Sequence, residues 1–347
     1  MNKILFKGLP AMILLLFLLF EAKGQQLEGA LGVHGFTDNR EYAPSGRFSQ
    51  TIFGIRVAPE VGFLVDSVHR VRVGINALHE FGSRPFVTEV VPVAYYQYTD
   101  RRWDFFIGAF PRFGLLDDYP RALLIDTLHY YRPNVEGMLA KAKHGLGWQT
   151  VWIDWTSRQT DVDRETFLFG LSGLVRRGIV YSSHYAYMFH NAGPGIPIPG
   201  DNVQDNGAAL FRLGLDLSRK TILDSLTVSG GGMMSFERLR NVTDWQTPTG
   251  LLLDLHAQYR RFGVANTFYA GQGHNLIYGD PFYTAKRYNR VDLSWAPILL
   301  RNIEGRFVFT FHFVEGVVDN QQAFLLRYRV SGPGRRADAT PWRGIRW

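Results

Sequence analysis

The sequence predicts one all-β domain: a transmembrane antiparallel β-barrel of about sixteen strands, with fourteen to eighteen left open by the boundaries. Three observations predict it. The first is alternation at strand period in long arms. In Thr51–Phe81, the positions Phe53, Ile55, Val57, Val61, Phe63 and Val65 are apolar, with Pro59 in the same series, and Arg56, Glu60 and glycines stand between them. Val71, Val73, Ile75, Ala77 and Phe81 then alternate with Arg70, Arg72, Asn76 and Glu80, interrupted by His79. These arms exceed an ordinary strand of ~5–6 residues and match the ~9–11 tilted residues that cross a bilayer. One greasy side and one charged side suit lipid outside and a polar lumen inside. The second observation is rhythm: short turns alternate with longer polar loops along nearly the whole chain. The third is the start of the chain, which reads as an export signal.

That signal comes first in order. Lys3 and Lys7 form a basic region, Ala11–Phe20 is apolar, and Ala22 and Gly24 are the small residues of a cleavage site, so residues 1–24 are expected to be removed. The apolar run is shorter than the ~20 residues of a spanning helix. Leu27–Phe36 is the first strand and Thr37–Ser49 a loop. The hairpin described above turns at Asp66–His69. Thr88–Tyr98 and Trp103–Phe110 follow, joined at Thr99–Arg102. Phe113–Thr127 (FGLLDDYPRALLIDT) reads as an outer loop with a short helix, folded inward. Leu128–Leu139 and Leu146–Thr156 form a hairpin around Lys141–His144, with a short helix over Val135–Lys143 as the alternative.

Phe167–Val175 and Ile179–Phe189 turn at Arg176–Gly178. His190–Asn206 is dense in Gly, Pro and Asn and reads as a loop. Ala209–Leu217 pairs with Ser225–Phe236; Glu237–Gly250 is a loop. Leu251–Tyr259 and Phe262–Gly271 make the next hairpin, followed by the loop Gln272–Lys286. Strands around Val291–Trp295, Ile303–Phe313 and Gln322–Val330 complete the series. The barrel is therefore assigned to residues 25–330, and residues 331–347 to a C-terminal tail or irregular last strand. The longer loops are expected outside the cell and the short turns in the periplasm.

Composition narrows the function. The chain has no cysteine, hence no disulfide framework, thiolate metal site or lipid-modified cysteine. Its net charge is +7. Three lysines and one glutamate lie in the leader, so the mature chain stands near +5. The arginines are spread along strands and turns, whereas a nucleic-acid surface calls for a basic stripe or a recognised module. A soluble β-sandwich is the structural rival, requiring the greasy faces to pack on each other.

With its signal, its arms Phe53–Val65 and Ile303–Phe313 and its turn–loop rhythm, the chain resembles the Gram-negative outer-membrane β-barrel class in its porin-like size range. The resemblance implies insertion in the outer membrane among its lipids and, most often, passage of small polar solutes or ions. It transfers no individual site.

Four sets of residues are candidates. Arg56, Glu60, Arg70, Arg72, Glu80, Arg212, Asp216, Asp254, Arg290, Asp292, Glu304, Arg306, Arg327 and Arg329 lie on polar faces. A charge on the lipid face near the midplane costs ~2–4 kcal/mol, so these are expected to line the lumen, either as a selective wall or as pairs that fill it. Trp148 and Trp152 beside Asp154 suit stacking on a sugar ring, but an aromatic girdle or internal packing is the reading favoured over it. Ser182, Ser183, His184 and His190 raise a serine hydrolase; Ser182 and His184 share a face, Ser183 and His184 do not. The ten histidines show no metal-binding spacing, so no metal and no cofactor is expected.

The leading expectation is a solute channel without enzymatic activity. A non-conducting anchor or assembly component with an envelope protein partner is the alternative, and a lipid-modifying hydrolase the third reading. An energy-coupled transporter is disfavoured, since there is no N-terminal plug domain and the chain is short for about 22 strands.

Overall fold

The structure, a computed structural model, describes residues 25–331 apart from 197 and 199. The expected leader and most of the tail lie outside the described residues. The strands are β1 (Gln25–Glu41), β2 (Gln50–Val65), β3 (His69–Glu80), β4 (Glu89–Thr99), β5 (Trp103–Pro111), β6 (Asn134–His144), β7 (Gly147–Ser157) and β8 (Thr166–Arg177). They continue as β9 (Val180–Asn191), β10 (Gln204–Asp216), β11 (Ser225–Leu239), β12 (Thr249–Tyr259), β13 (Phe262–Gly271), β14 (Arg287–Leu299), β15 (Ile303–Val314) and β16 (Val317–Ser331). Each pairs antiparallel with its chain neighbours, and β1 pairs with β16, so the sheet closes as a sixteen-strand barrel. Closure leaves no strand edge unpaired, which a bilayer requires.

Alternation sets the two faces. In β2, Arg56 and Glu60 are buried while Phe53, Val57 and Val61 are exposed. The same period runs through β10, where Leu210 and Arg212 are buried and Phe211 and Leu213 exposed. The outward residues form the lipid-facing surface and the inward ones fill the lumen. Pro297 lies where the β14–β15 register shifts, between Trp295 and Ile298, a place suited to a residue with no amide proton.

The connectors at one end are long: L1 (42–49), L2 (81–88), L3 (112–133), L4 (158–165), L5 (192–203), L6 (240–248) and L7 (272–286). L8 is an exception, the two-residue turn Glu315–Gly316. Both have positive φ (52° and 86°), as a tight hairpin matched to strand twist requires. The opposite end carries the described termini and turns of two or three residues, apart from the eight-residue connector 217–224.

Several boundaries differ from expectation. β1 continues through Thr37–Glu41, because Asp38 and Arg40 are inward residues of the strand rather than loop polarity. Leu128–Tyr131 is a short helix, α1, not the start of a strand. Lys141–His144 belongs to β6, and Val135–Lys143 is strand throughout.

L3 and L7 fold into the lumen. The Ile125 amide donates to the Tyr278 carbonyl (2.7 Å) and the Asp280 amide to the Arg121 carbonyl (3.0 Å), so the two loops are laced together. Leu123 and Ala122 are fully buried and pack with Leu116, Leu124, Leu276 and Phe282 against inward strand residues such as Phe110, Val135, Leu168 and Leu210. Tyr119 is set edge-on to Trp152, and its hydroxyl accepts from the Trp152 indole (2.9 Å) and reaches the Leu171 and Ala186 carbonyls (2.8 and 3.1 Å). Across the barrel, Tyr130 of α1 stacks on Phe36 with centroids 4.4 Å apart.

The Trp152 ring also lies over Gly170, where a Cβ would come within 2.3 Å of the indole. Gly170→Val is therefore expected to cost about 1–3 kcal/mol by displacing Trp152 and, through it, Tyr119. Denaturant unfolding of the refolded barrel measures this, and an unchanged midpoint would contradict the packing account.

Candidate active site

The expected lumen charges stand on the inner wall, and most are engaged. Near the short-turn end, Arg70 and Arg72 both pair with Glu28 (2.6 and 3.0 Å), and Arg72 also reaches Glu60 (3.4 Å). Arg56 holds Glu89 and donates to the Tyr130 carbonyl (2.5 Å). Glu80 accepts from the Tyr131 hydroxyl (3.0 Å). Arg212 pairs with Asp254 (2.8 Å), Asp216 with Arg176 (2.6 Å), and Arg306 with Glu304 (2.6 Å). Arg290 binds Asp292 (2.9 Å), which also meets Arg121 of L3 (3.3 Å). Arg327 lies over the Phe113 ring (4.6 Å), and Arg329 is exposed beyond it. Most of these wall charges thus meet an opposite charge across or along the inner wall.

The aromatic candidates are occupied too. Trp152 is 2% exposed beneath Tyr119, so it has no open face for a sugar. Asp154 is fully buried and pairs with Arg112. Trp148 is covered on one side by the Lys141 ammonium at 4.2 Å.

The serine–histidine candidates of β9 do not come together as a site. Tyr181, Ser183, Tyr185, Tyr187 and Phe189 point inward, so Ser182 and His184 share the lipid-facing side, with His190 stacked on Phe167. Ser182 and His184 share a face and Ser183 does not, but the shared face is the outer one, because bulky tyrosines fill the lumen instead.

A different pair meets at the long-loop end. Ser235, inward near the end of β11, lies 2.7 Å by its Oγ from the Nδ1 of His274 in L7. Both are nearly covered, at 3% and 2% exposure. Their backbones are pinned: the Ser235 amide donates to the Pro248 carbonyl (3.0 Å) and the His274 amide to the Tyr283 carbonyl (2.8 Å). Gly273 makes the approach possible, with φ of 87° and no room for a Cβ against the Thr284 carbonyl. Asn206 of β10 grips L7 on the far side, donating to the Asn275 carbonyl (2.8 Å) and accepting from the Ile277 amide (3.3 Å). The His274 Nε2 is buried with no partner among the described residues. Burial pushes the imidazole down to about 4, so it is neutral at physiological pH.

Sequence reasoning passed over this pair because its members are 39 positions apart, one in an ordinary strand and one in a loop. The short glycine-rich stretch Gly271–Gly273 before His274 was the available signal for a built loop.

Two further clusters anchor the same end. His312 is fully buried, stacked under Phe282 (4.1 Å) with the Tyr288 hydroxyl at its Nδ1 (2.6 Å). Gln321 links it to Asp38 (2.6 Å), which holds Arg40 (2.7 Å). Ser45 of L1 binds Asp319 through both its amide and its hydroxyl. These contacts hold L1 and L7 to the wall. Among the described residues no group of three or more His, Cys, Asp or Glu is arranged to hold a metal ion.

A closed sixteen-strand antiparallel barrel with lipid-facing apolar strands and long loops at one end is an outer-membrane β-barrel of the Gram-negative envelope. The chain belongs to the lipid A 3′-O-deacylase-type family, whose model matches residues 20–330. That is a family of enzymes, and membership overturns the expectation of a non-enzymatic barrel. No curated protein matches the chain. Among solved structures, it is similar to a loop L8 deletion mutant of OmpT from Vibrio cholerae, at 8% identity and TM-score 0.56 over 89% of this chain and 100% of that one. It is also similar to an anion-selective porin from Comamonas acidovorans, at 9% identity and TM-score 0.52 over 88% and 99%. At such identities the likeness is one of fold.

Proposed function

We propose that this chain is an outer-membrane hydrolase that removes an ester-linked acyl chain from lipid A, with Ser235 as nucleophile and His274 as base. The observation that carries the reading is the Ser235–His274 contact at the long-loop end, in a chain of this family. Lipid A occupies the outer leaflet, which that end faces. A neutral imidazole within hydrogen-bond reach is what a serine needs to become a nucleophile. Ser235 Oγ attacks the ester carbonyl, and its proton passes to His274. The imidazolium returns the proton to the departing sugar hydroxyl, leaving an acyl-serine. Water, deprotonated by His274, then releases the fatty acid and restores both groups.

The covered pair requires L7 to lift before an acyl chain can enter. The inward strand side chains beneath L7, Met233 and Leu252, are apolar and buried. The inward-folded L3 and L7, together with the paired wall charges, favour this reading over a solute channel.

The test is mass spectrometry of lipid A from Gram-negative cells that produce the full chain. Loss of one acyl chain, absent from cells producing an empty vector, is expected. Unaltered lipid A in cells where the barrel is folded and surface-exposed would sink the proposal. Planar-bilayer recordings then separate the rival: stable ohmic steps would indicate a conduit.

A further inference from the structure

The two ends of the barrel differ in charge. At the short-turn end, the exposed residues include Arg101 and Arg102 between β4 and β5, and Arg177 at the end of β8. The next three turns add Arg219 and Lys220, Arg260 and Arg261, and Arg301. Among the described residues, the exposed carboxylates Asp66 and Asp224 stand against these eight, and Asp224 accepts a backbone amide from Arg260. The other acids there are taken: Asp104 by Lys143 (2.8 Å), Asp216 by Arg176, and Asp100 by the backbone amides of Arg102 and Trp103. At the long-loop end, exposed acids at least match exposed bases.

These cations border an aromatic band. Trp103, Tyr259, Phe262 and Trp295 are outward and exposed close to the same turns. The Arg260 guanidinium lies over the Tyr259 ring (5.2 Å), which puts it on the lipid-facing side. Aromatic rings of this kind mark the membrane interface, so charges just beyond them stand at headgroup depth.

We propose that this rim is a binding belt for anionic phospholipid headgroups of the periplasmic leaflet, such as phosphatidylglycerol and cardiolipin. The cations recur at five turns between β4 and β15, around the circumference. A leaflet surrounds a barrel in the same way, whereas a folded acidic partner would meet one sector. Each basic residue near an anionic surface adds to the attraction, and the contributions of five turns accumulate. The belt would fix the barrel's depth and tilt. It does not depend on the hydrolase reading, since it lies at the opposite end from Ser235.

The experiment uses the full chain in nanodiscs of equal phosphatidylglycerol and phosphatidylethanolamine, followed by native mass spectrometry of retained lipids. The wild type is expected to retain phosphatidylglycerol preferentially. In the variant carrying Arg219→Gln, Lys220→Gln, Arg260→Gln and Arg261→Gln, the preference is expected to fall at least about fivefold. Equal retention of both lipids by the wild type, or an unchanged preference in the folded variant, would overturn the proposal. If the variant does not fold, the wild type decides: its preference should collapse in about 0.5 M salt, where surface charges are screened. A preference that survives such salt is not electrostatic and counts against the belt. So does retention of an acidic periplasmic protein with no lipid preference.

Discussion

Ser235→Ala is expected to abolish acyl release, by about a thousandfold or more, while the barrel stays folded. The substitution removes only the hydroxyl and leaves His274 Nδ1 short of one partner, a cost of ~1–3 kcal/mol spread over a closed sheet. Folding is checked by the heat-dependent shift in electrophoretic mobility that closed barrels show. His274→Ala should lower the rate about 10²–10⁴-fold, the usual worth of a positioned base. Lipid A mass spectrometry over time reads both. Full activity in the folded Ser235→Ala protein would remove this pair from the chemistry and leave the family assignment to another site.

The pH dependence adds an independent check. A base must be unprotonated, and activity is lost as pH falls through its pKa. Burial holds His274 down to about 4, so kcat/KM, which reports the free enzyme, should stay level from pH 8 to about 5 and fall only near 4. If L7 lifts on binding, the imidazole meets water in the complex and its pKa rises toward the ordinary ~6.5. The acid limb of kcat should then lie above that of kcat/KM. Coincident limbs near 6.5 would mean that His274 is already exposed in the free protein.

The strands were legible because lipid and lumen impose opposite demands on successive residues. Phe53 to Val65 and Ile303 to Phe313 needed no distant partner to declare themselves. The loops were not legible in that way. Leu123 and Leu124 look like one face of a short helix in sequence, yet they are buried against strands and against L7, about 150 residues away in the chain. Nothing local says that Ile125 will donate to Tyr278. The same limit hid Ser235–His274, whose geometry exists only once the barrel closes and L7 turns inward. In β9 the alternation was visible but its direction was not: Ser182 and His184 are polar, yet Tyr181, Tyr185 and Tyr187 on the alternate positions are the ones that fit the space inside.

One buried pair, Arg112 with Asp154, closes the base of the inward-folded L3, and breaking it is the second large expected effect. The Arg112 amide donates to the Pro133 carbonyl (2.8 Å), which closes the base of the loop. Its guanidinium then donates to the Arg132 and Asn134 carbonyls (3.0 and 3.2 Å) and pairs with Asp154, so both ends of L3 hang from one cation. Arg112 and Asp154 are almost wholly buried. Asp154→Asn keeps an acceptor for the Glu136 amide (2.9 Å) but leaves Arg112 buried without its counter-charge. Removing one partner of a buried pair costs about 3–5 kcal/mol, whereas replacing both by apolar residues of similar size is often neutral. Asp154→Asn should therefore lower the unfolding free energy by that amount, and Arg112→Met with Asp154→Leu should recover only part of it, since the Glu136 amide and the Arg132 and Asn134 carbonyls lose these partners. The two also separate stability from closure. With its cation unpaired, L3 should leave the lumen part of the time, so Asp154→Asn is expected to show brief current steps in a planar bilayer where the wild type is silent. If the wild type itself conducts steadily, L3 and L7 do not seal the barrel, and the case for a hydrolase would rest on Ser235 and His274 alone.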